Sequence, residues 1–344
     1  LAMTASVITE PGVTTRDGVI ALAGDITSRV TNGLMEAYDR VSRDRKAVRL
    51  DFSGANRMDV SGLNALIKLH ERAKTRRVRL EATGLSLLFR DIFRASRLDE
   101  AIMPDPPGVT DRAGEAPAAG PWAAPVQRLR VKDVPEGAVS HNVDGLAVAG
   151  PVQGFGRLWE KTYRMRLTGV DADPSDVVRV WKEHFPELQP RENRFFPTPS
   201  GIAPGEVVLI NASTPAGPLY TGVQVLYADR ESFAFITPQG HPEAGWVSFD
   251  ACEEQGAIVV RVQGFARASD PLYELGFELM GSRMQEGIWR HVLVSLGRLF
   301  GVEGYVNLEK SCVGNDFQWE RAGNVWYNAQ IRSAGYALMR LAGL

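Results

Sequence analysis

The stretch DFSGANRMDVSGLNALI, residues 51–67, decides how the first part of the chain folds. It begins at the end of an apolar run, residues 48–52, that predicts a β-strand. A loop then leads into a helix predicted to begin near Ser61 and to end near Thr75, with Asp59 as its N-cap. Because the first amides of a helix have no intrahelical partner, this start favours an anion or a polar group of a partner.

The same stretch resembles the signature of STAS domains, the family of bacterial anti-sigma-factor antagonists. In the regulated members the loop reads Asp-Ser/Thr-Ser-Gly, and a partner kinase phosphorylates the first hydroxyl. This chain has Val60 at that position, so no phosphate can be added there. The resemblance implies an anti-sigma or kinase-like partner and a docking loop made of Asp59, Val60, Ser61 and Gly62. The alternative is that the loop keeps a structural role only.

Residues 4–103 are predicted to form a small α/β domain with a central sheet. Strand patterns alternate with helical patterns, the strands falling at residues 19–24, 48–52 and 78–82. The last helix has one apolar face, formed by Leu85, Leu88, Phe89, Ile92 and Phe93.

Residues 104–126 are rich in Pro, Gly and Ala and show no apolar periodicity. This composition predicts an extended, poorly ordered linker. The remainder, residues 127–344, is assigned to a second domain with a C-terminal helical extension.

The second domain shows a different pattern, typical of an α+β fold. After a strand at residues 159–167, Asp173 and Pro174 are predicted to begin a helix. Turn signals then separate short strands in an antiparallel meander, at residues 206–211, 221–227, 232–237, 245–249 and 257–263. Asp270 and Pro271 are predicted to begin a long helix that continues to Phe300. A curved sheet followed by one long helix is the outline of the helix-grip fold, in which the helix closes a cavity.

Residues 140–303 resemble a START-like (SRPBCC) family that occurs as a module in actinobacterial proteins. The motifs that carry the resemblance are GFGRLWEKTY (154–163), GEV (205–207), YAD (227–229), TPQGHPE (237–243) and RASDPLYEL (267–275). The resemblance implies a helix-grip fold whose cavity takes a hydrophobic small molecule.

The candidate pocket residues are aromatic and polar side chains on the strands and helix that would surround such a cavity. They are Phe233, Phe235, His241, Trp246, Arg267, Tyr273, Glu274 and Trp289, with Glu243 and Asp270 nearby. Two alternatives stay open: the aromatic residues fill a solid core, and His241 has a hydrogen-bonded structural role in its Gly-His-Pro-Glu turn.

Composition and motifs argue against several function classes. A net charge of −2 gives no electrostatic footprint for nucleic acid. The five histidines lack metal-ligand spacing, and no catalytic or nucleotide-binding motif occurs, so we expect no metal, no cofactor and no catalytic residue. The chain has no apolar run of about 20 residues, which argues against a membrane span. Its two distant cysteines favour a cytoplasmic protein.

Three functional hypotheses follow. The first is a non-enzymatic regulatory protein, in which the START-like domain binds a hydrophobic small molecule and the STAS domain docks a protein partner. The second is a polyketide cyclase or aromatase that uses Arg267, Tyr273, Glu274 and His241 as acids and bases. The third is a scaffold that only binds proteins.

Overall fold

A computed structural model describes residues 7–10, 12–104, 120–277 and 282–342. The chain divides into two compact units, Leu1–Gly120 and Pro121–Leu344. Most of the predicted linker, residues 105–119, lies outside the described residues.

The first unit is a sheet with helices, as the alternating pattern predicts. Its strands are β1 (Val7–Glu10), β2 (Val13–Arg16), β3 (Val19–Ile26), β4 (Ala47–Met58), β5 (Arg79–Thr83) and β6 (Met103–Pro104). Its helices are α1 (Thr31–Val41), α2 (Val60–Thr75) and α3 (Leu87–Ala95). The strands lie in sequence order; β1 to β3 pair antiparallel, and β3 to β6 pair parallel.

Strand β4 is longer than the sequence predicts. The predicted strand ended at residue 52, but β4 continues to Met58 and pairs with β3 through Ala23↔Gly54 and Ile26↔Met58. Apart from Met58, the extra residues are polar or small, so the sequence has no alternation there to indicate a strand. The predicted loop is therefore reduced to Asp59.

The second unit is built on one large antiparallel sheet. Its strands are β7 (Val148–Ala149), β8 (Leu158–Leu167), β9 (Asn193–Phe196), β10 (Val207–Thr214), β11 (Gly217–Ala228), β12 (Ser232–Pro238), β13 (Glu243–Glu254), β14 (Ala257–Ala268) and β15 (Asn307–Gly314). Its helices are α4 (Pro174–Glu183), α5 (Pro271–Gly276), α6 (Ser282–Leu299) and α7 (Ala329–Leu341). The strand order is β15-β8-β14-β13-β12-β11-β10-β9, and β7 pairs with β12.

The predicted meander is confirmed as strands β10 to β14, and two edge strands were not predicted. One of them, β9, is only four residues long. The other, β15, is mostly polar and exposed, so it lacks the apolar alternation of a half-buried strand.

The region of the predicted long helix contains helices α5 and α6. Asp270 caps α5, as predicted: its Oδ1 accepts hydrogen bonds from the amides of Leu272 at 2.8 Å and Tyr273 at 3.0 Å. Helix α6 packs its apolar face on the concave side of the sheet through Trp289, Val292 and Leu293. Residues 278–281, between the two helices, lie outside the described residues.

The second unit begins earlier than the predicted boundary at residue 127. The amide of Ala123 donates to the carbonyl oxygen of Leu226 at 2.9 Å. The buried ring of Trp122 packs edge-on against Tyr227, with 4.8 Å between ring centroids. The sequence does not predict this pairing of residues 122–123 with residues 226–227, because Pro and Ala are both uncommon in strands.

Candidate ligand-binding site

The inner face of the second sheet and helix α6 surround a cavity of about 150 Å³. Side chains alternate between the faces of a strand, so every second residue points inward. On β8 the inward series runs through Lys161, Tyr163 and Met165: Lys161 lines the cavity, and the other two belong to the solid core. The cavity therefore occupies one end of the inner face.

Small residues leave this end empty. The cavity is lined by short side chains from five strands: Ala212, Thr221, Thr237, Gly245, Gly264 and Ala266. Gly264 pairs directly with Lys161 and Val247, which also line the cavity. A Cβ added at Gly264 meets no atom of the described residues within 4 Å. Because directly paired residues share a face, that Cβ would project into the cavity.

The other end of the inner face is filled by aromatic rings. The ring of Phe185 lies 5.7 Å from that of Phe233 and 5.2 Å from those of Phe195, Phe235 and Phe249, between centroids. Such spacing is typical of edge-to-face packing in a dense core. A filled core and a cavity, posed as alternatives by the sequence, thus both occur along the inner face of one sheet.

Two polar atoms of the cavity walls have no hydrogen-bond partner in the described structure. They are Oγ1 of Thr221, whose residue is 2% exposed, and Nε1 of Trp289, whose residue is 9% exposed. Buried polar groups are usually hydrogen-bonded, since each unpaired group costs about 1–3 kcal/mol. A bound molecule with a polar atom would satisfy either group.

A hydrogen-bonded chain of three side chains forms the polar part of the wall. Lys161 Nζ donates to Gln285 Oε1 at 2.6 Å, and Gln285 Nε2 donates to Glu243 Oε2 at 2.6 Å. Burial raises the pKa of the Glu243 carboxyl, while the Lys161 charge and the Gln285 hydrogen bond oppose that shift. The cavity therefore combines apolar walls with a cation and a carboxyl group of raised proton affinity.

His241 has the structural role that its turn suggests. Its Nδ1 accepts a hydrogen bond of 3.0 Å from the amide of Glu243. Burial lowers the pKa of His241 to about 4, so the imidazole is neutral at pH 7. The ring lines the cavity and holds the turn that positions Glu243 at the start of β13.

A second, more polar cleft of about 230 Å³ adjoins the cavity. Trp159, Lys161, Glu243 and Phe277 line both spaces. The charged residues that line the cleft are Arg157, Lys161, Glu243, Arg267, Glu274 and Lys310.

The structure places the predicted pocket residues in different positions. Those that line the cavity are Phe235, His241, Trp246 and Trp289. The ring of Trp246 points to the opposite face of the sheet, where it stacks on Phe265 with centroids 6.3 Å apart. Phe233 belongs to the aromatic end of the core.

The other three predicted residues lie away from this cavity. Arg267 and Glu274 line the second cleft, and Arg267 donates from a terminal guanidinium nitrogen to the carbonyl oxygen of Gly156 at 2.9 Å. The hydroxyl of Tyr273 accepts from the amide of Gln330 at 2.9 Å, which ties α5 to the start of α7.

Lys161, Gln285 and Thr221 were not predicted as site residues. A signal for Lys161 was present, because it is the one charged residue in the inward series Trp159, Lys161, Tyr163, Met165 and Leu167. No comparable signal marked Thr221 or Gln285, whose residue types are common on strands and helices.

The loop at the start of α2 has a clear structural role. Asp59 Oδ1 accepts a hydrogen bond of 2.9 Å from the amide of Gly62. A Cβ at Gly62 would lie 2.4 Å from the carbonyl oxygen of Ile26, so only glycine fits there. The side chain of Val60 is buried, with 4% exposure, while Asp59 and Ser61 are partly exposed. Protein docking at this loop stays a prediction.

Two family models match the chain. Residues 12–104 match the model described as "Mlab, STAS domain". Residues 175–294 match a "Domain of unknown function (DUF1990)". Comparison with curated proteins gives no match.

Several solved structures resemble the C-terminal region. The di-domain ARO/CYC StfQ of the steffimycin biosynthetic pathway is 13% identical with a TM-score of 0.33, covering 42% of this chain and 50% of StfQ. Protein Ms6760 of Mycobacterium smegmatis is 12% identical with a TM-score of 0.31, covering 41% and 90%. The major latex-like protein 151 of Panax ginseng is 15% identical with a TM-score of 0.29, covering 42% and 99%. The match thus spans about half the length of StfQ.

Residues 12–104 therefore match a STAS domain model, and the second unit has the antiparallel sheet and covering helix of a helix-grip fold. Among the helices of the described residues, none is long and apolar enough to cross a membrane. Within the same residues, no group of three or more His, Cys, Asp or Glu side chains is placed to hold a metal ion.

Proposed function

We propose that the helix-grip domain binds a hydrophobic small molecule in the cavity between its sheet and helix α6. The observation that carries the proposal is the cavity of about 150 Å³, left by small residues at the same end of five strands. Close-packed interiors seldom leave a void this large. A cavity of similar volume, engineered into another protein, binds benzene. The expected occupant of this cavity is therefore about one aromatic ring in size.

The walls fit such an occupant. They are mainly apolar and include Phe195, Ile210, Leu219, Phe235, Ile288 and Trp289. The Thr221 hydroxyl and the Trp289 indole N–H, which have no hydrogen-bond partner within the described part of the chain, add two polar groups that a ligand can meet. Apolar walls with a few polar anchors are the usual composition of a small-molecule site.

Saturation-transfer NMR with toluene tests this proposal. Wild type is expected to transfer saturation to toluene, because the ring fits the cavity. Gly264→Leu is expected to abolish the transfer, since the added side chain would occupy the cavity. The matched control is Gly287→Leu, at an exposed glycine of α6 that does not line the cavity. Equal transfer in wild type and Gly264→Leu would contradict the proposal.

Proton-transfer catalysis in the same cavity is a second candidate function. The observation that favours it is Glu243, whose raised pKa brings its carboxyl closer to the range in which it can donate and accept protons. Lys161 lies at the far end of the same hydrogen-bonded chain. Mass spectrometry of molecules captured from hydrophobic extracts distinguishes the two functions. Chromatographic separation before the mass measurement also detects isomers, whose mass does not change. An enzyme converts the captured molecules to a product of new mass or new retention time that Glu243→Gln does not produce, whereas a binding protein returns them unchanged.

A further inference from the structure

The cavity and the second cleft adjoin each other. The cavity of about 150 Å³ has mainly apolar walls, and six of the ten residues that line the cleft of about 230 Å³ are charged. The two spaces share Trp159, Lys161, Glu243, Ala266 and Phe277, so a molecule that reaches from one into the other passes these residues. A purely apolar ligand would leave the charged half unused.

The charged half favours an anion. Four cationic side chains line it, Arg157, Lys161, Arg267 and Lys310, against the carboxyl groups of Glu243 and Glu274. Lys310 is ion-paired with Glu286, outside the lining, which leaves three cations against two carboxyl groups. Burial also raises the pKa of Glu243, which reduces the negative charge it contributes. The net charge of the cleft is thus positive, and a positive cleft attracts an anionic group.

Lys161 stands where the two halves meet. It lies on the inner face of β8, partly buried, directly opposite Gly264. Its ammonium group donates to the side-chain oxygen of Gln285, which is an uncharged partner. Charge-assisted hydrogen bonds to a carboxylate are roughly twice as strong as neutral ones. The Lys161 charge acts on Glu243 only through space, across the Gln285 side chain, so a carboxylate placed beside Lys161 would add a direct charge-assisted hydrogen bond.

We propose that the ligand is an aromatic carboxylic acid, with its ring in the cavity and its carboxylate beside Lys161 in the second cleft. This inference rests on the proposed binding function and specifies its ligand class. Two separable interactions then contribute to the binding free energy. The ring is buried in the cavity beside Gly264, and the carboxylate forms an ion pair with Lys161. The ion pair weakens with added salt, while the burial does not.

Calorimetric titration with three probes separates these parts. The probes are toluene, 3-phenylpropanamide and 3-phenylpropionate, the last two having the same shape and differing in charge. Wild type is expected to bind the acid at least tenfold more tightly than the amide, and this preference is expected to shrink as NaCl is added. Lys161→Met is expected to abolish the preference for the acid over the amide, because it removes the cation that pairs with the carboxylate. The control is Lys132→Met, at an exposed lysine that lines neither space.

The outcomes distinguish failure of this inference from failure of the proposed function. If toluene binds and the acid and amide bind equally, the ligand is not an acid and the inference is overturned, while the binding function stands. If none of the three binds, both proposals fail. If the acid still binds to Gly264→Leu with wild-type affinity, its ring lies outside the cavity and the inference is overturned. The comparison of acid with amide in wild type needs no variant, so it holds even if Lys161→Met does not fold.

Discussion

The side-chain amide of Gln285, on helix α6, donates a hydrogen bond of 2.6 Å to Oε2 of Glu243, at the first residue of strand β13. This contact joins the helix that covers the cavity to the strand that forms its polar wall. The Oε1 atom of Gln285 accepts a hydrogen bond from Lys161 Nζ, so one side chain of the helix is hydrogen-bonded to both charged residues of the sheet.

The first prediction concerns Gln285→Leu. The substitution removes the hydrogen-bond partner of both Glu243 and Lys161, and leaving such groups unpaired costs about 1–3 kcal/mol. We expect the free energy of unfolding to fall by that amount in urea titrations at pH 7, and the pKa of Glu243 to rise further. Arg283→Ala, at an exposed residue of the same helix, is the control and is expected to leave both quantities unchanged. An unchanged stability for Gln285→Leu would show that this chain does not hold the helix to the sheet.

The second prediction concerns Thr221→Val. Valine has nearly the same shape as threonine, and the buried Thr221 hydroxyl has no hydrogen-bond partner among the described residues. Replacing an unpaired buried hydroxyl by a methyl group is expected to stabilise the ligand-free protein by about 1 kcal/mol. Urea titration of wild type and variant without ligand measures the difference. A loss of stability would mean that the hydroxyl is satisfied in solution, and would remove it as a ligand anchor.

The third prediction concerns the pH dependence of stability through His241. Burial lowers the pKa of this imidazole in the folded protein to about 4, from an ordinary value of 6.5. Between these values the unfolded chain binds the proton and the folded protein does not, so stability falls as pH decreases from 6.5 towards 4. Because the ring is only partly buried, we expect this group to account for about 2 kcal/mol of the loss.

Paired titrations of wild type and His241→Gln test that sign. The raised pKa of Glu243 acts in the opposite direction, since its folded form holds a proton more tightly than its unfolded form. The difference between wild type and His241→Gln isolates the histidine. It is expected to change by about 2 kcal/mol across this range. A constant difference would mean that the ring is solvated in the folded protein.

The fourth prediction concerns Gly62→Ala in the STAS domain. An added methyl group would lie 2.4 Å from the backbone oxygen of Ile26, which cannot move without shifting strand β3. Overpacking of this kind costs about 1–3 kcal/mol. Faster amide hydrogen exchange in α2 is expected, while Ser61→Ala, at the neighbouring partly exposed residue, is expected to have little effect. Unchanged exchange in Gly62→Ala would show that the start of α2 tolerates a side chain.

Local patterns predicted much of the fold. The helix caps Asp59 and Asp270 were predicted from residue type and spacing, and both accept the expected amide hydrogen bonds. Sequence patterns did not predict the strand segments that are defined only by hydrogen bonding to neighbouring strands. Strand β15 and the end of β4 carry few apolar residues, so their pairing is visible only in the assembled sheet.

The candidate site was harder to predict, because its cavity is a property of strand register. Gly264, Thr221 and Ala212 are ordinary residues in sequence, and they leave a cavity only because pairing brings them to the same end of the sheet. Pocket residues were predicted from their aromatic type instead. Phe233 shows that an aromatic residue on the correct face need not line the cavity. It lies on the inner face of β12, as expected of a lining residue, but at the filled end of the core.

The most direct test of the central claim is a crystal structure of the protein exposed to toluene vapour, beside that of Gly264→Leu treated in the same way. In wild type we expect electron density for one ring among Phe235, Trp289 and Gly264, and in the variant the leucine side chain in its place. A wild-type structure in which protein side chains fill that space would rule out a ligand cavity there.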